Sequence, residues 1–155
     1  MRRGFTLIEI LVAISLLVIL GGAGLVGYRQ AARRQAVDGA AEKVVGALRQ
    51  AQANAASGVK DTMACGSRQL TGWRVTFAAN SYTIDGVCGA VTFGGKSEGY
   101  SREVVGIRVT PLPSVNPMLF KVLNQGTNIP VSTNVTVTGY GLTKVISVTT
   151  SGDIK

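Results

Sequence analysis

The chain has 155 residues, of which 46% are hydrophobic and 15% are charged, and its formal net charge at pH 7 is +8. This length allows one folded domain with its own core and one appended segment, and the composition excludes a disordered polymer. The sequence has no histidine, which removes the usual general base at neutral pH, and its two cysteines are too few for a structural zinc site. We therefore expect neither an enzyme nor a bound metal or other cofactor.

The first element along the chain is an apolar helix. Residues 10–28 form a run of 19 uncharged, mostly apolar residues. At ~1.5 Å per residue, such a helix is about as long as the ~30 Å hydrocarbon core of a bilayer. The run therefore predicts one membrane-spanning helix. A buried core helix would show a polar face, and a secretory signal peptide has a shorter apolar stretch, so both alternatives fit less well.

Glu9, just before this run, is the most informative residue in the sequence. A carboxylate in an apolar helix costs ~2–3 kcal/mol or more to insert unless it lies near the interface or has a cationic partner. Arg29 is too far along the helix to be that partner, whereas Arg2 and Arg3 are one or two turns away. The partner is therefore one of those two arginines or a positive charge on another molecule.

The amino-terminal sequence MRRGFTLIE, followed by the apolar run, resembles the prepilin signal of type IV pilins and of the pseudopilins of type II secretion. The resemblance implies that residues 1–4 are a leader, which a prepilin peptidase removes between Gly4 and Phe5. It also implies that Phe5 is then methylated on its new amino group. In this family the carboxylate at the position of Glu9 meets the amino terminus of a neighbouring subunit, which would supply the missing partner.

The same resemblance implies a function, a location and a set of partners. The chain would be a structural subunit, a minor one, of a type IV pilus-like or type II secretion filament. Before assembly it would be a single-pass inner-membrane protein with its globular domain outside the cytoplasm, and afterwards part of a cell-surface or periplasmic filament. Its partners would be other pilin or pseudopilin subunits, the prepilin peptidase, the inner-membrane assembly platform and membrane lipids.

We expect the helix to have two halves. Residues 5–28 are the transmembrane and filament-core half, and residues 29–57 are an amphipathic half that ends at Ser57-Gly58. The second half should pack on a folded domain through an apolar face at three-and-four spacing, formed by Val37, Ala41, Val44, Leu48, Ala51 and Ala55.

A glycine-rich stretch weakens the helix near the end of its first half. Each glycine lowers helix stability by ~1 kcal/mol relative to alanine. One interpretation is that the segment melts when the subunit packs into a filament, and the other is that small residues only permit close helix packing. Both stay open for Gly21, Gly22, Gly24 and Gly27.

Residues 58–155 should form a β-rich globular domain. Apolar and polar residues alternate with period two, which predicts five to seven antiparallel strands. Asn80-Ser81 and Asp85-Gly86 read as turns and Gly139–Leu142 as a hairpin. The strands are expected near residues 73–77, 82–85, 104–109, 118–123, 135–138 and 143–149, with a proline-marked loop at Pro111, Pro113 and Pro117. The predicted fold is α+β and type IV pilin-like, with one long N-terminal helix packed on a C-terminal antiparallel β-sheet.

Short patterns within the globular part, among them GWRVTF and SGDI, are similar to those of minor pseudopilins and minor pilins of the GspH/FimT type. The extracytoplasmic location that the resemblance implies permits a disulfide between Cys65 and Cys88. Such a bond would stabilise the fold by about 3 kcal/mol in the chain-entropy model. The alternative is that the two thiols point apart and stay free.

The positive net charge gives an alternative function, a DNA-binding competence pilin that acts in DNA uptake. Basic residues of the domain are scattered and interspersed with acids, whereas a nucleic-acid surface shows a clustered basic stripe. The arginines just after the apolar run, Arg29, Arg33 and Arg34, are better placed for lipid headgroups or acidic groups of adjacent subunits. The segment GGKS at residues 94–97 lacks the glycine spacing of a phosphate-binding loop.

Overall fold

The computed structural model of the chain describes residues 6–99, 107–110 and 115–155. The chain divides into two compact units, Met1–Gln35 and Ala36–Lys155. One α-helix, α1, runs over Leu7–Ala56 and belongs to both units. It ends where the serine-glycine pair predicts, because Gly58 has a φ of +67°, a conformation that suits glycine after a helix.

The described part of the first unit is helical from Leu7 onward and exposes apolar side chains. Leucine, isoleucine and valine residues between Leu7 and Leu20 are each 50% to 81% exposed. Over residues 6–99, 107–110 and 115–155, no helix combines the length and the apolarity that a membrane crossing requires.

The second unit buries one face of α1. Five of the six residues predicted for this face are buried, namely Val37, Val44, Leu48, Ala51 and Ala55. Ala41 is only half-buried, and Ala40 and Ala47 are buried instead. The difference arises because the stripe follows the 3.6-residue period, so that positions 40 and 47 lie closer to the centre of the buried face than position 41 does.

Seven strands are described in the second unit, and they form two antiparallel sheets. The strand bounds are β1 Gly72–Phe77, β2 Ser81–Cys88, β3 Val91–Gly99, β4 Ile107–Thr110, β5 Met118–Lys121, β6 Thr133–Gly139 and β7 Leu142–Val148. The first sheet has the strand order β3-β2-β1-β5 and the second has the order β4-β6-β7.

One hydrophobic core joins the helix to both sheets. Leu48 and Val44 of α1 lie in the same buried cluster as Val75 of β1 and Val135 of β6. Trp73, Val75 and Phe77 point into the core at alternate positions of β1, as the period-two pattern predicts. The α+β arrangement of a helix packed on antiparallel strands is therefore confirmed, although the described strands form two sheets and not one.

The predicted turn at Asp85-Gly86 is wrong. Both residues lie inside β2, where a register irregularity separates Ile84 from Gly86. Tertiary contacts override the turn preference. Asp85 pairs with Arg74 of β1, and the place of a Gly86 side chain is taken by the ring of Phe93, which a Cβ there would overlap.

Strand β3 is absent from the sequence prediction. Its glycine-rich segment, residues 94–97, has low strand propensity, but antiparallel pairing with β2 overrides it. Of the predicted strand at 104–109, residues 107–109 lie in β4 and the rest lies outside the described residues, as do Pro111 and Pro113.

The predicted strand at residues 118–123 ends early, at Lys121. A short 3-10 helix, Val122–Asn124, follows it, and Leu123 and Asn124 both have positive φ. The chain turns back there, so that Lys121 N–H donates to the Gly126 carbonyl at 2.9 Å. The predicted hairpin at Gly139–Leu142 is confirmed, since Tyr140 and Gly141 have positive φ values in a two-residue loop between β6 and β7.

A second short helix, α2 (Thr62–Cys65), carries one end of a disulfide. Asp61 caps it, because its carboxylate accepts the N–H groups of Met63 and Ala64 at 2.8 and 3.1 Å. Cys65 is joined to Cys88 at the end of β2, with a Cα–Cα distance of 5.7 Å, and both residues are fully buried. Of the two alternatives that the sequence left open, the structure contains the disulfide.

Gly72 of β1 lies where the main chains of β1 and β5 approach each other closely. A Cβ at this position would overlap the main-chain carbonyl oxygen of Phe120, which cannot swing aside as a side chain could. We expect Gly72→Ala to lower the free energy of unfolding by about 1–3 kcal/mol. Gly95→Ala is the matched control, because a Cβ there meets nothing within 4 Å. Urea denaturation of the full-length chains in mild detergent measures both, and equal midpoints would contradict the described β1–β5 approach.

Candidate functional site

The start of α1 holds Glu9 in a defined position. Thr6 precedes the helix, and the Glu9 N–H donates to the Thr6 carbonyl at 3.1 Å and to its Oγ1 at 3.4 Å. Glu9 is the acidic residue of the first turn. A carboxylate is stabilised there because unpaired N–H groups leave a partial positive charge at a helix amino terminus.

Sequence reasoning missed this capping arrangement, although the signal was present. Thr6 and Glu9 have the Ser/Thr-x-x-Glu spacing of a capping box, which marks the first turn of a helix. The structure shows one half of that box, the hydrogen bond from the Glu9 main chain to the threonine hydroxyl. The beginning of α1 at Leu7 therefore follows from two residues that the apolar run alone does not single out.

The apolar surface beyond Glu9 surrounds the helix. Its exposed residues are Leu7, Ile8, Ile10, Leu11, Val12, Ile14, Leu16, Leu17, Val18, Ile19 and Leu20. They occupy nearly consecutive positions, so they cover every side of the helix and not one stripe. Ser15 does not interrupt this surface, because its hydroxyl donates to the Leu11 carbonyl of the same helix. An exposed, contiguous apolar surface of this kind is typical of sites that contact lipid or other proteins.

The remaining predicted residues of the first unit are placed only in part. Gly4 and Phe5 lie outside the described residues. The four glycines at positions 21, 22, 24 and 27 all lie within α1, which is helical through this stretch. A Cβ at Gly27 would meet nothing within 4 Å. Arg29 and Arg34, which follow the apolar run, are exposed.

Three ion pairs join charged residues within the described part of the second unit. Lys96 and Glu98 lie 3.3 Å apart, Lys144 and Asp38 lie 2.9 Å apart, and Arg74 and Asp85 lie 2.7 Å apart. Three of the scattered basic residues are thus neutralised locally. Arg102 and the side chain of Arg108 lie outside what the structure describes. DNA binding stays a prediction that these contacts do not favour.

Tyr82 and Glu98 perturb each other across β2 and β3. The tyrosine hydroxyl donates to the Glu98 carboxylate at 3.0 Å. Burial and this neighbour raise the pKa of Tyr82 to about 12. Hydrogen bonds from Tyr82 and then from Lys96 lower the pKa of Glu98. Both groups keep their ordinary neutral-pH charge, so the pair links two strands and does not provide a proton donor or acceptor for chemistry.

The described residues contain no cluster of potential metal ligands.

Comparison with known proteins gives a match at the amino terminus of the chain. Residues 1–25 match the family model of the prokaryotic N-terminal methylation motif. The chain carries a type IV prepilin-like signal. The resemblance predicted from the amino-terminal sequence is thereby confirmed, and the helix on antiparallel strands is consistent with a type IV pilin-like fold. No curated protein and no solved structure gives a significant match. Similarity of this prepilin-like chain to GspH/FimT-type proteins stays a prediction.

Proposed function

We propose that this prepilin-like chain is a minor pilin or pseudopilin, a structural subunit of a type IV pilus-like or type II secretion filament. The observation that carries the proposal is the prepilin-like signal over residues 1–25. This segment includes the exposed apolar residues of α1 between Leu7 and Leu20. A prepilin peptidase cuts between Gly4 and Phe5, and Phe5 is methylated. The subunit then leaves the inner membrane through the assembly platform and packs its helix among those of other subunits.

The apolar surface suits two successive environments. Before assembly, residues 5–28 lie in the inner membrane, where lipid covers apolar side chains on all sides of the helix. In the filament, neighbouring helices cover the same side chains. Because both surroundings are apolar, transfer between them costs little hydrophobic free energy, and polar groups in the segment decide which neighbours fit.

Glu9 is the polar group of this segment that determines which neighbouring helices fit. Removing a carboxylate from water is costly unless a positive group pairs with it, and the free amino group of a processed neighbour is such a group. A misplaced neighbour leaves both charges unpaired. The pair therefore fixes the register between subunits more than it adds to the total stability of the filament.

The second unit and the glycines fit the same function. A buried disulfide is typical of proteins folded outside the cytoplasm, which is where the globular domain of such a subunit stands. α1 is helical through its four glycines in the isolated chain. We propose that this stretch loosens when subunits pack, since it has the lowest helix propensity in α1.

Replacing Glu9 by glutamine tests the proposal. Glu9→Gln should be processed and methylated normally, since the cleaved bond lies before it. The assembled fraction should fall about a hundredfold, because about 3 kcal/mol is lost when a buried amine has no charged partner and each 1.4 kcal/mol is tenfold. The measurement is the amount of chain in sheared filaments or in cross-linked multimers, relative to the amount in membranes.

Glu9→Asp is the matched control, because it keeps the charge and shortens the side chain by one methylene. It should retain more assembly than the glutamine variant. If Glu9→Gln assembled as well as the unchanged chain, the charge pairing would be wrong. If the unchanged chain formed no multimers in cells that hold its assembly machinery, the filament function itself would be wrong.

A further inference from the structure

A cationic face follows the apolar surface on the part of α1 that belongs to the first unit. Residues 28–35 are exposed, all lie in the first unit and include Arg29, Arg33 and Arg34. At ~100° per residue, Arg29 and Arg33 lie ~40° apart around the helix, and Arg34 lies ~100° beyond them. The three guanidinium groups therefore occupy less than half of the helix circumference, within ~7.5 Å of its length.

This cationic face has no carboxylate of its own. The sequence contains no aspartate or glutamate between Glu9 and Asp38. Arg29 and Arg34 form no ion pair with the residues that the structure describes. A second copy that packs level with this stretch brings the same acid-free sequence. The face therefore suits an anionic partner other than another copy of the same segment.

The apolar surface on the same helix indicates which anion fits. The exposed aliphatic residues between Leu7 and Leu20 suit hydrocarbon, whereas guanidinium groups bind phosphate oxygens. Tyr28 lies between the two surfaces and is 74% exposed, and tyrosine is enriched where hydrocarbon meets headgroups. A phospholipid with a net negative headgroup combines both chemistries in one molecule. Nucleic acid or free phosphate would match the cationic face alone.

The orientation in the membrane supports the same partner. In the proposed function this end of the helix lies on the side of the membrane away from the cytoplasm. Lysine and arginine are normally enriched on the cytoplasmic side. Three arginines at the opposite end go against that bias, and attraction to anionic headgroups would stabilise them there.

We propose that Arg29, Arg33 and Arg34 bind the phosphate groups of anionic phospholipids, whose acyl chains lie along the apolar surface of α1. The inference rests on the proposed function, since it uses the membrane stage before assembly. The contact holds the helix at one depth in the bilayer, and the subunit gives it up when it enters the filament.

Competition between two lipids tests the proposal. The full-length chain in mild detergent is mixed with equal amounts of phosphatidylglycerol and phosphatidylcholine that have the same acyl chains. Native mass spectrometry then counts the lipids bound to each chain. At low salt we expect phosphatidylglycerol to be preferred about tenfold, since each nearby arginine contributes up to about fivefold. The Arg29→Gln/Arg34→Gln variant should lower this preference to about twofold.

Arg49→Gln/Arg68→Gln is the matched control. It removes the same number of positive charges from exposed arginines of the second unit, so the lipid preference should not change. A second arm adds inorganic phosphate, with sodium chloride at the same ionic strength as its reference. Phosphate should displace no more phosphatidylglycerol than chloride does, because it cannot replace the apolar contacts of the acyl chains.

Each outcome decides the inference. A preference for phosphatidylglycerol that falls in Arg29→Gln/Arg34→Gln and not in the control variant supports it. Equal retention of both lipids, equal effects of the two double variants, or specific displacement by phosphate would overturn it, and the filament function would stand if the unchanged chain still assembled in cells. If the unchanged chain neither inserted into phosphatidylglycerol vesicles nor assembled, both proposals would be wrong.

Discussion

Gly4→Val should leave the chain uncut. A peptidase binds its substrate in an extended form and approaches the main chain closely at the cleaved bond, which a residue without a Cβ allows. Valine adds a branched side chain directly before that bond. We therefore expect essentially complete loss of the processed form, and no assembly, because the amino group that we propose as the partner of Glu9 is never exposed. The intact mass of the chain from membranes measures the result.

Gly4→Ala is the graded control for this experiment, because it adds one methyl group and should be cut slowly. A processed Gly4→Val chain of the same mass as the unchanged mature chain would mean that cleavage lies elsewhere. Retained membrane association of the uncut Gly4→Val chain would show that the loss of assembly comes from processing and not from misfolding.

Arg74→Ala should have the largest effect on the stability of the second unit. The Arg74 guanidinium binds Asp85 through two nitrogens, with Nε 2.8 Å and Nη2 2.7 Å from Oδ2. The Asp85 side chain is only 8% exposed. Removal of the arginine leaves a buried carboxylate without its cation, which we expect to lower the free energy of unfolding by about 3 kcal/mol. Urea denaturation of the full-length chain in mild detergent measures this change.

Two further variants identify the cause of the stability loss in Arg74→Ala. Arg74→Lys keeps the charge but not the forked geometry, so its loss should be smaller. The double variant Arg74→Leu/Asp85→Leu removes both charges and should be closer to the unchanged chain than Arg74→Ala is, since no unpaired charge remains. A double variant that is less stable than Arg74→Ala would show that the ion pair itself, and not the stranded carboxylate, stabilises the sheet.

Local periodicity predicts the long elements of this fold. The three-and-four spacing from Val37 to Ala55 and the alternation of Trp73, Val75 and Phe77 both appear as buried faces. Prediction fails where contacts between distant residues decide the outcome. Asp85-Gly86 has turn chemistry but lies within a strand, because Arg74 comes from another strand to pair with the aspartate. A glycine-rich segment forms β3 because β2 offers it a paired edge.

Some residues of the candidate site could be predicted from the sequence and others could not. A lone carboxylate before an apolar run marks Glu9 without any structure, since its insertion is costly unless it is paired. The helix cap formed by Thr6 was also readable but depends on a spacing of three residues that is common in sequences. The ion pair between Asp38 and Lys144 was not predictable, because Lys144 comes from β7, more than a hundred residues later in the chain.

The amino terminus of the chain from its native membrane is the most direct test of the filament-subunit assignment. Fragmentation of the intact chain in a mass spectrometer should show that it begins at Phe5, that the first residue carries one added methyl group and that residues 1–4 are absent. A chain that still begins at Met1 in cells that process other prepilins would contradict the assignment, and so would a mature chain that begins beyond Glu9.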